Sequence, residues 1–163
     1  YLRETRAVRG YGVEIDESKI ATCIANGVNV IHSDLDAGLA DFESDSFDFV
    51  ILSQTLQATR HTEAVMKEIA RVGREGIISF PNFGHWKNRL QILNGHMPIS
   101  KVLPYQWYDT PNVHLCTLHD FELLCDHLHL RILGRHVMDA HGEVSLLPNL
   151  RGSTAVYRFK RDA

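Results

Sequence analysis

The sequence predicts an α/β fold in which strands alternate with helices around a parallel sheet. Three stretches carry that prediction. Phe47 to Ser53, FDFVILS, is the most strand-like run, and its four contiguous apolar residues fit a strand buried on both faces by helices. Thr62 to Val72 then places Val65, Met66, Ile69 and Val72 on one helical stripe, and Gly76 to Phe80, GIISF, follows as another buried strand. Leu130 to Met138 and Ser153 to Phe159 close the chain as two strands joined by a polar, glycine-containing connection, the pattern of an antiparallel pair.

In chain order, Tyr1-Leu2-Arg3-Glu4 reads as the last turn of a helix, and with Tyr in place of Met at the start, the sequence is expected to open inside a domain. Val8 to Glu14, VRGYGVE, is a short strand ending in an acid. Asp16 is placed to cap the next helix, whose Ile20, Cys23 and Ile24 share a face. Asn26-Gly27 stops it, Val28 to His32 is the next strand, and Asp34 follows in a turn. Gly73 is expected to end the 62–72 helix, and Pro81 to halt the strand after it. A helix is expected from about Trp86 to Asn94, closed by Asn94-Gly95, and Ile99 to Val113 reads as loop. Thr117-x-x-Asp120 is a capping-box variant, opening a helix with Phe121, Leu124, Cys125 and Leu128 on one face. Residues 1–163 are expected to form a single domain.

Composition narrows the function. Hydrophobic content of 44% and charged content of 23% are ordinary for a globular chain, and a net charge of −3 gives no electrostatic case for nucleic acid or an anionic membrane. No run approaches the roughly 18 apolar residues of a membrane span, and no signal-peptide pattern is seen. Cys23, Cys116 and Cys125 form no CxxC pair and sit in apolar contexts, so they read as reduced core residues of a cytoplasmic protein. His114-x-Cys116-x-x-His119 is not a zinc spacing, and no metal is expected. Gly152-Ser153 lies at a strand start, not on a nucleophile elbow, and no catalytic residue is identified.

Two regions are candidates for chemistry. In Gly10-Tyr-Gly-Val-Glu14-Ile-Asp16, an acid stands at the carboxyl tip of a strand, where a nucleotide-binding sheet takes both ribose hydroxyls. On that reading Glu14 binds ribose, Ile15 lies against adenine and Asp34 approaches the adenine edge; otherwise they are a strand-end acid and a helix cap. No glycine-rich loop accompanies them, since GYG at 10–12 is expected within the strand. In a doubly wound sheet the first strand is central, so its lack is expected to leave the strands beside it without a neighbour. The second region is Ser79 to Phe121, with both tryptophans, four of the five prolines and four of the ten histidines. Phe80-Pro81-Asn82-Phe83 reads as a strand end facing substrate or as a plain turn. Trp107-Tyr108-Asp109-Thr110-Pro111 reads as a lid, a partner anchor, or a loop folded onto its own core.

Three blocks, SFPNFGHWKNRLQ, GHMP and LPYQWYDTPNVHLCTLHDFE, resemble the signature of the methionine biosynthesis protein MetW family, and the resemblance runs from Tyr1 to about Lys160. That family resembles class I S-adenosylmethionine-dependent methyltransferases. The resemblance implies a Rossmann-like class I methyltransferase sheet with a C-terminal antiparallel strand pair, here lacking the first strand and its D-x-G-C-G-like loop. GYGVEID would be the strand-two ribose motif and Phe47 to Gln54 the strand-four motif, with Glu14, Ile15, Asp34, Leu35 and Ser53 as the S-adenosylmethionine-binding set. Asn82, His85, Trp86, Arg89, Trp107 and Tyr108 would face substrate or a partner. The implied role is in homoserine acylation, as a partner subunit of the homoserine O-acyltransferase MetX. The alternative is an S-adenosylmethionine-dependent methyltransferase of a small metabolite, and a homo-oligomer stays open.

Overall fold

The computed structural model describes Thr5 and residues 7–162, and the chain divides into two compact units, Tyr1–Leu39 and Ala40–Ala163. The helical turn expected over residues 1–4 lies outside the described residues.

In the smaller unit, β1 (Gly12–Glu14) pairs in parallel with β2 (Val30–His32), with Gly12 opposite Val30 and Glu14 opposite His32. The connection is α1 (Glu17–Ala25). Asp16 caps it as expected, its side chain accepting from the Ser18 N–H. Asn26 is the C-cap, and Gly27 at φ 65° takes the left-handed conformation that suits glycine. The first strand is shorter than expected, starting at Gly12, so Gly10 and Tyr11 lie ahead of it. The face of Ile20, Cys23 and Ile24 is not buried either, because a two-stranded sheet offers α1 too little surface to cover it.

The larger unit is a five-stranded mixed sheet of order β3-β4-β7-β5-β6. β3 (Phe47–Ser53) runs parallel to β4 (Gly73–Pro81), and the helix between them, α2 (Thr62–Val72), has the expected limits. Val65, Met66, Ile69 and Val72 are all buried along its stripe. After α3 (Trp86–Leu93) and α4 (Leu118–His127) come β5 (Leu130–Asp139), the short β6 (Gly142–Glu143) and one turn of helix, α5 (Pro148–Arg151). β7 (Thr154–Arg161) then enters antiparallel between β4 and β5, the closing pair that the sequence predicts.

One expectation is corrected. FDFVILS is not buried on both faces: β3 is an edge strand covered by α2 on one side, and Phe49 and Ile51 on the other side are exposed. Gly73 ends α2 as expected, at φ −101°, and starts β4 directly. Its lack of a side chain serves close approach, since a Cβ there would lie 2.8 Å from Val50 Cγ2. The strand ends at Pro81, which is its last paired residue, opposite Thr154 and one position beyond the expected end at Phe80.

The core is aromatic at its centre. Phe80 packs between Phe121 and Tyr157, with ring centroids 4.9 and 5.8 Å away, and Phe121 and Tyr157 are 4.6 Å apart. The buried Tyr157 hydroxyl donates to Glu122 Oε1 at 2.8 Å, and Arg135 Nη1 donates to the same oxygen, so the phenol's polar end is satisfied. Burial and Glu122 hold this phenol well above the usual tyrosine range.

Candidate functional site

The residues at the carboxyl ends of the parallel strands come first, since open α/β sheets bind ligands there. In the smaller unit, Glu14, Ile15, Asp34 and Leu35 are brought to that end together. The Ser33 N–H bonds to the Glu14 carbonyl at 3.2 Å, and His32 Nε2 lies 3.2 Å from the Ile15 carbonyl. Glu14 Oε1 accepts from the Ile15 and Asp16 N–H groups, both at 3.0 Å, and its Oε2 lies 4.0 Å from Lys19 Nζ. Ile15 is an exposed apolar side chain, Leu35 is half-buried, and Asp34 caps the short turn Leu35–Ala37 through the Asp36 N–H. Ser53, the remaining member of the set, belongs to the larger unit.

In the larger unit the β3 and β4 ends are stitched together. Ser53 Oγ lies 3.4 Å from Ser79 Oγ, and the Gln54 N–H donates to the Ser79 carbonyl at 3.0 Å. Gln54 has φ 52°, a left-handed conformation uncommon for a residue with a side chain. Gln57 is buried behind it. Its Nε2 donates to the Gln54 carbonyl, and its own carbonyl accepts from the Val113 and His114 N–H groups, so it ties the β3 end to the aromatic loop.

Beyond β4 the chain is held by asparagines. Asn82, expected at a substrate or partner surface, is instead fully buried at 0% exposure. Its Nδ2 donates to the carbonyls of Asn149 and Gly152 at 2.9 and 2.8 Å, and its Oδ1 accepts from the Gly84 N–H. Asn149 Oδ1 in turn accepts from the Leu118 N–H at the start of α4. Asn88, buried inside α3, donates to the carbonyls of Asn82 and Phe83. Gly84 has no room for a side chain, since a Cβ would come within 2.7 Å of Asn149 Oδ1. The correction has a simple cause: a β-strand end that turns away from its sheet exposes backbone groups, and a buried amide satisfies donors and acceptors at once.

The other predicted residues surround this knot. His85 is the N-cap of α3, its Nδ1 accepting from the Lys87 N–H at 3.3 Å. Burial first, then Lys87, holds its imidazole below the usual histidine range. Arg89 Nε donates to the Gly84 carbonyl at 2.6 Å. Trp86 is exposed, with Lys87 Nζ 5.5 Å from its ring centroid. Trp107 and Tyr108 touch edge to face at 5.6 Å and are 70% and 71% exposed. That loop therefore does not fold onto its own core through these two rings.

Two of the three thiols, Cys116 and Cys125, are poor nucleophiles. Burial, with Asp120 adding to it, pushes Cys116 up to about 12, and burial with Asp126 and Glu122 does the same for Cys125. Among the described residues, no group of three or more His, Cys, Asp or Glu could hold a metal ion, and no helix is long and apolar enough to cross a membrane. Sequence reading missed Gln54, Gln57, Asn88 and Asn149.

The larger unit's parallel β-α-β segment, with its sheet continued by an antiparallel strand pair, has the class I S-adenosylmethionine-dependent methyltransferase fold. Solved structures agree. A methyltransferase from Haloferax volcanii, solved with its Trm112 activator, aligns over 99% of this chain and 76% of its own, with a TM-score of 0.69 and 12% identity. A Thermotoga maritima S-adenosylmethionine-dependent methyltransferase aligns over 93% and 72%, with a TM-score of 0.67 and 17% identity. At those identities the likeness is one of fold alone. The chain belongs to the methionine biosynthesis protein MetW family, whose pattern it matches over residues 1–159. It is also 35% identical, over 157 residues, to the bifunctional methionine biosynthesis protein MetXA/MetW of Rhodopirellula baltica. That match covers 93% of this chain and 25% of the relative, so the chain spans about a quarter of that protein's length.

Proposed function

We propose that this chain works in methionine biosynthesis as a partner subunit of a MetX-type homoserine O-acyltransferase, on a single methyltransferase-like domain. The observation that carries the reading is the Rhodopirellula relative, in which a MetW-like segment shares one polypeptide with MetXA. A fused segment acts at high effective concentration on its neighbour, and a separate chain needs a binding surface to do the same. Trp107 and Tyr108, two large exposed rings, suit such a surface. The test is homoserine acylation by the acyltransferase with and without the full-length protein, together with co-purification. Co-purification with a rise in rate supports the reading; neither one overturns it. Replacing Trp107 and Tyr108 by alanine should weaken the complex, and unchanged affinity would remove that pair from the surface.

The second reading, an S-adenosylmethionine-dependent methyltransferase of a small metabolite, is favoured by the β1–β2 tips. Their chemistry fits the cofactor's nucleoside: Glu14 supplies a carboxylate for ribose hydroxyls, Ile15 an apolar surface for adenine, with Asp34 and Leu35 in the turn that follows the second strand. When bound, S-adenosylmethionine would supply an electrophilic methyl group. Glu14→Ala in the full-length protein should weaken cofactor binding by about 1–3 kcal/mol if two ribose bonds are lost. An unchanged affinity in a calorimetric titration would take Glu14 out of the site.

A further inference from the structure

Helix α3 is amphipathic the wrong way round. Its one buried residue is the polar Asn88, and it is fastened to the 82–84 turn by hydrogen bonds from Asn88 and Arg89. Trp86, Leu90 and Leu93, at i, i+4 and i+7, share one face, and all three are exposed, Leu93 to 80%. A helix that packs on its own domain buries the apolar stripe and shows the polar one. The apolar surface continues into the following loop. Gln91 clasps Ile99 by two reciprocal bonds, Nε2 to the Ile99 carbonyl at 3.2 Å and Oε1 from its N–H at 3.0 Å, while Pro98 is buried beneath. Met97 and Ile99 are themselves exposed. The reciprocal clasp and the buried proline fix this surface before any partner arrives, so little ordering is needed on binding.

Charge narrows the occupant. From Gly76 to Tyr108 the chain carries Lys87, Arg89 and Lys101 and no acid, although its net charge is −3. The charges that this segment itself contributes are all cationic, which suits a surface that is apolar at its centre and carboxylate-rich at its edge.

We infer that the outward face of α3, with Met97 and Ile99, docks on the homoserine O-acyltransferase, against an apolar surface edged with carboxylates. The inference rests on the partner reading above; the fused relative supplies the identity of the occupant, and the inverted helix supplies the place. It adds a docking helix to the Trp107–Tyr108 pair.

The experiment measures the affinity of the full-length protein for the purified acyltransferase at low and high salt, with light scattering on each protein alone. The double variant Leu90→Ser, Leu93→Ser should weaken binding by about tenfold or more, with an unchanged melting curve. Leu93→Asp, at a site too exposed to affect folding, should do so by itself. Lys87→Glu with Lys101→Glu should weaken binding most at low salt, where rim charges act. Wild-type affinity in these variants would overturn the docking face and leave the partner reading standing. Failure of the wild-type chain to bind the acyltransferase or change its rate would overturn both. Self-association lost in the leucine variants, with acyltransferase affinity intact, would reassign the face to a second copy and overturn the proposal.

Discussion

Asn82 shows how much one buried amide can carry. Its three hydrogen bonds join the end of β4 to the Asn149–Gly152 segment and to the Gly84 turn. Asn82→Ala would strand two carbonyls and an N–H out of reach of solvent, and should cost about 2–4 kcal/mol in a urea titration. Asn82→Asp should fare no better, since it swaps both donors for an acceptor facing carbonyls. A loss below 1 kcal/mol for either would show that the turn is held elsewhere. Gly76 is constrained by packing instead, because a Cβ there would come within 2.4 Å of the Phe159 ring. Gly76→Ala should destabilise by about 1–3 kcal/mol in the same assay. Neither residue announced itself in the sequence. Asn82 read as part of a substrate-facing strand end or a plain turn, because the groups it satisfies lie 67 and 70 positions away.

Among the helices, what the sequence made legible depends on where each one finds its partners. Thr62–Val72 was readable to the residue because its stripe, its start and its abrupt end are all local. The Thr117–Asp120 capping box was equally local, with both reciprocal bonds present. The limits of α3 were readable too, but its orientation was not, since nothing local says that Asn88 rather than Leu90 faces inward. Its cap also makes it sensitive to acid. The His85 ring accepts the Lys87 N–H through Nδ1, which only the neutral imidazole can do, and burial and Lys87 favour that neutral form. With its folded value below the ordinary 6.5, this histidine contributes stability that is complete above pH 6.5 and is lost as pH falls through the lower folded value. An NMR titration should find His85 protonating below 6.5, with the first-turn amides of α3 losing protection in step. Titration at or above 6.5 would reverse the sign.

Across the whole chain, stability should be distributed as unevenly as burial. Of the described residues up to Leu39, Leu39 is the one that is buried, whereas β4 and β7 contribute Ile78, Phe80, Ala155, Tyr157 and Phe159, each at 0% exposure. Hydrogen exchange should therefore be slowest at the β4 and β7 amides and faster by about two orders of magnitude or more in residues 12–32. Uniform protection would show that the smaller unit draws stability from more than its own contacts. The alternating strand pattern and the antiparallel close were visible in the sequence because each is a run of neighbours. The division of the strands between a β1–β2 pair and a five-stranded sheet follows from pairings distant in sequence, which no run of neighbours encodes. The place of β7 has a consequence for how the molecule comes into being. It is the last strand in the sequence, yet it sits in the middle of the larger sheet, hydrogen-bonded to β4 on one side and β5 on the other. As the polypeptide leaves the ribosome, β4 and β5 must wait with open edges and bare aromatic side chains until residues 154–161 emerge. Birth order and spatial order are opposed, so a chain cut short before Thr154 should be a substrate for chaperones rather than a smaller version of the protein.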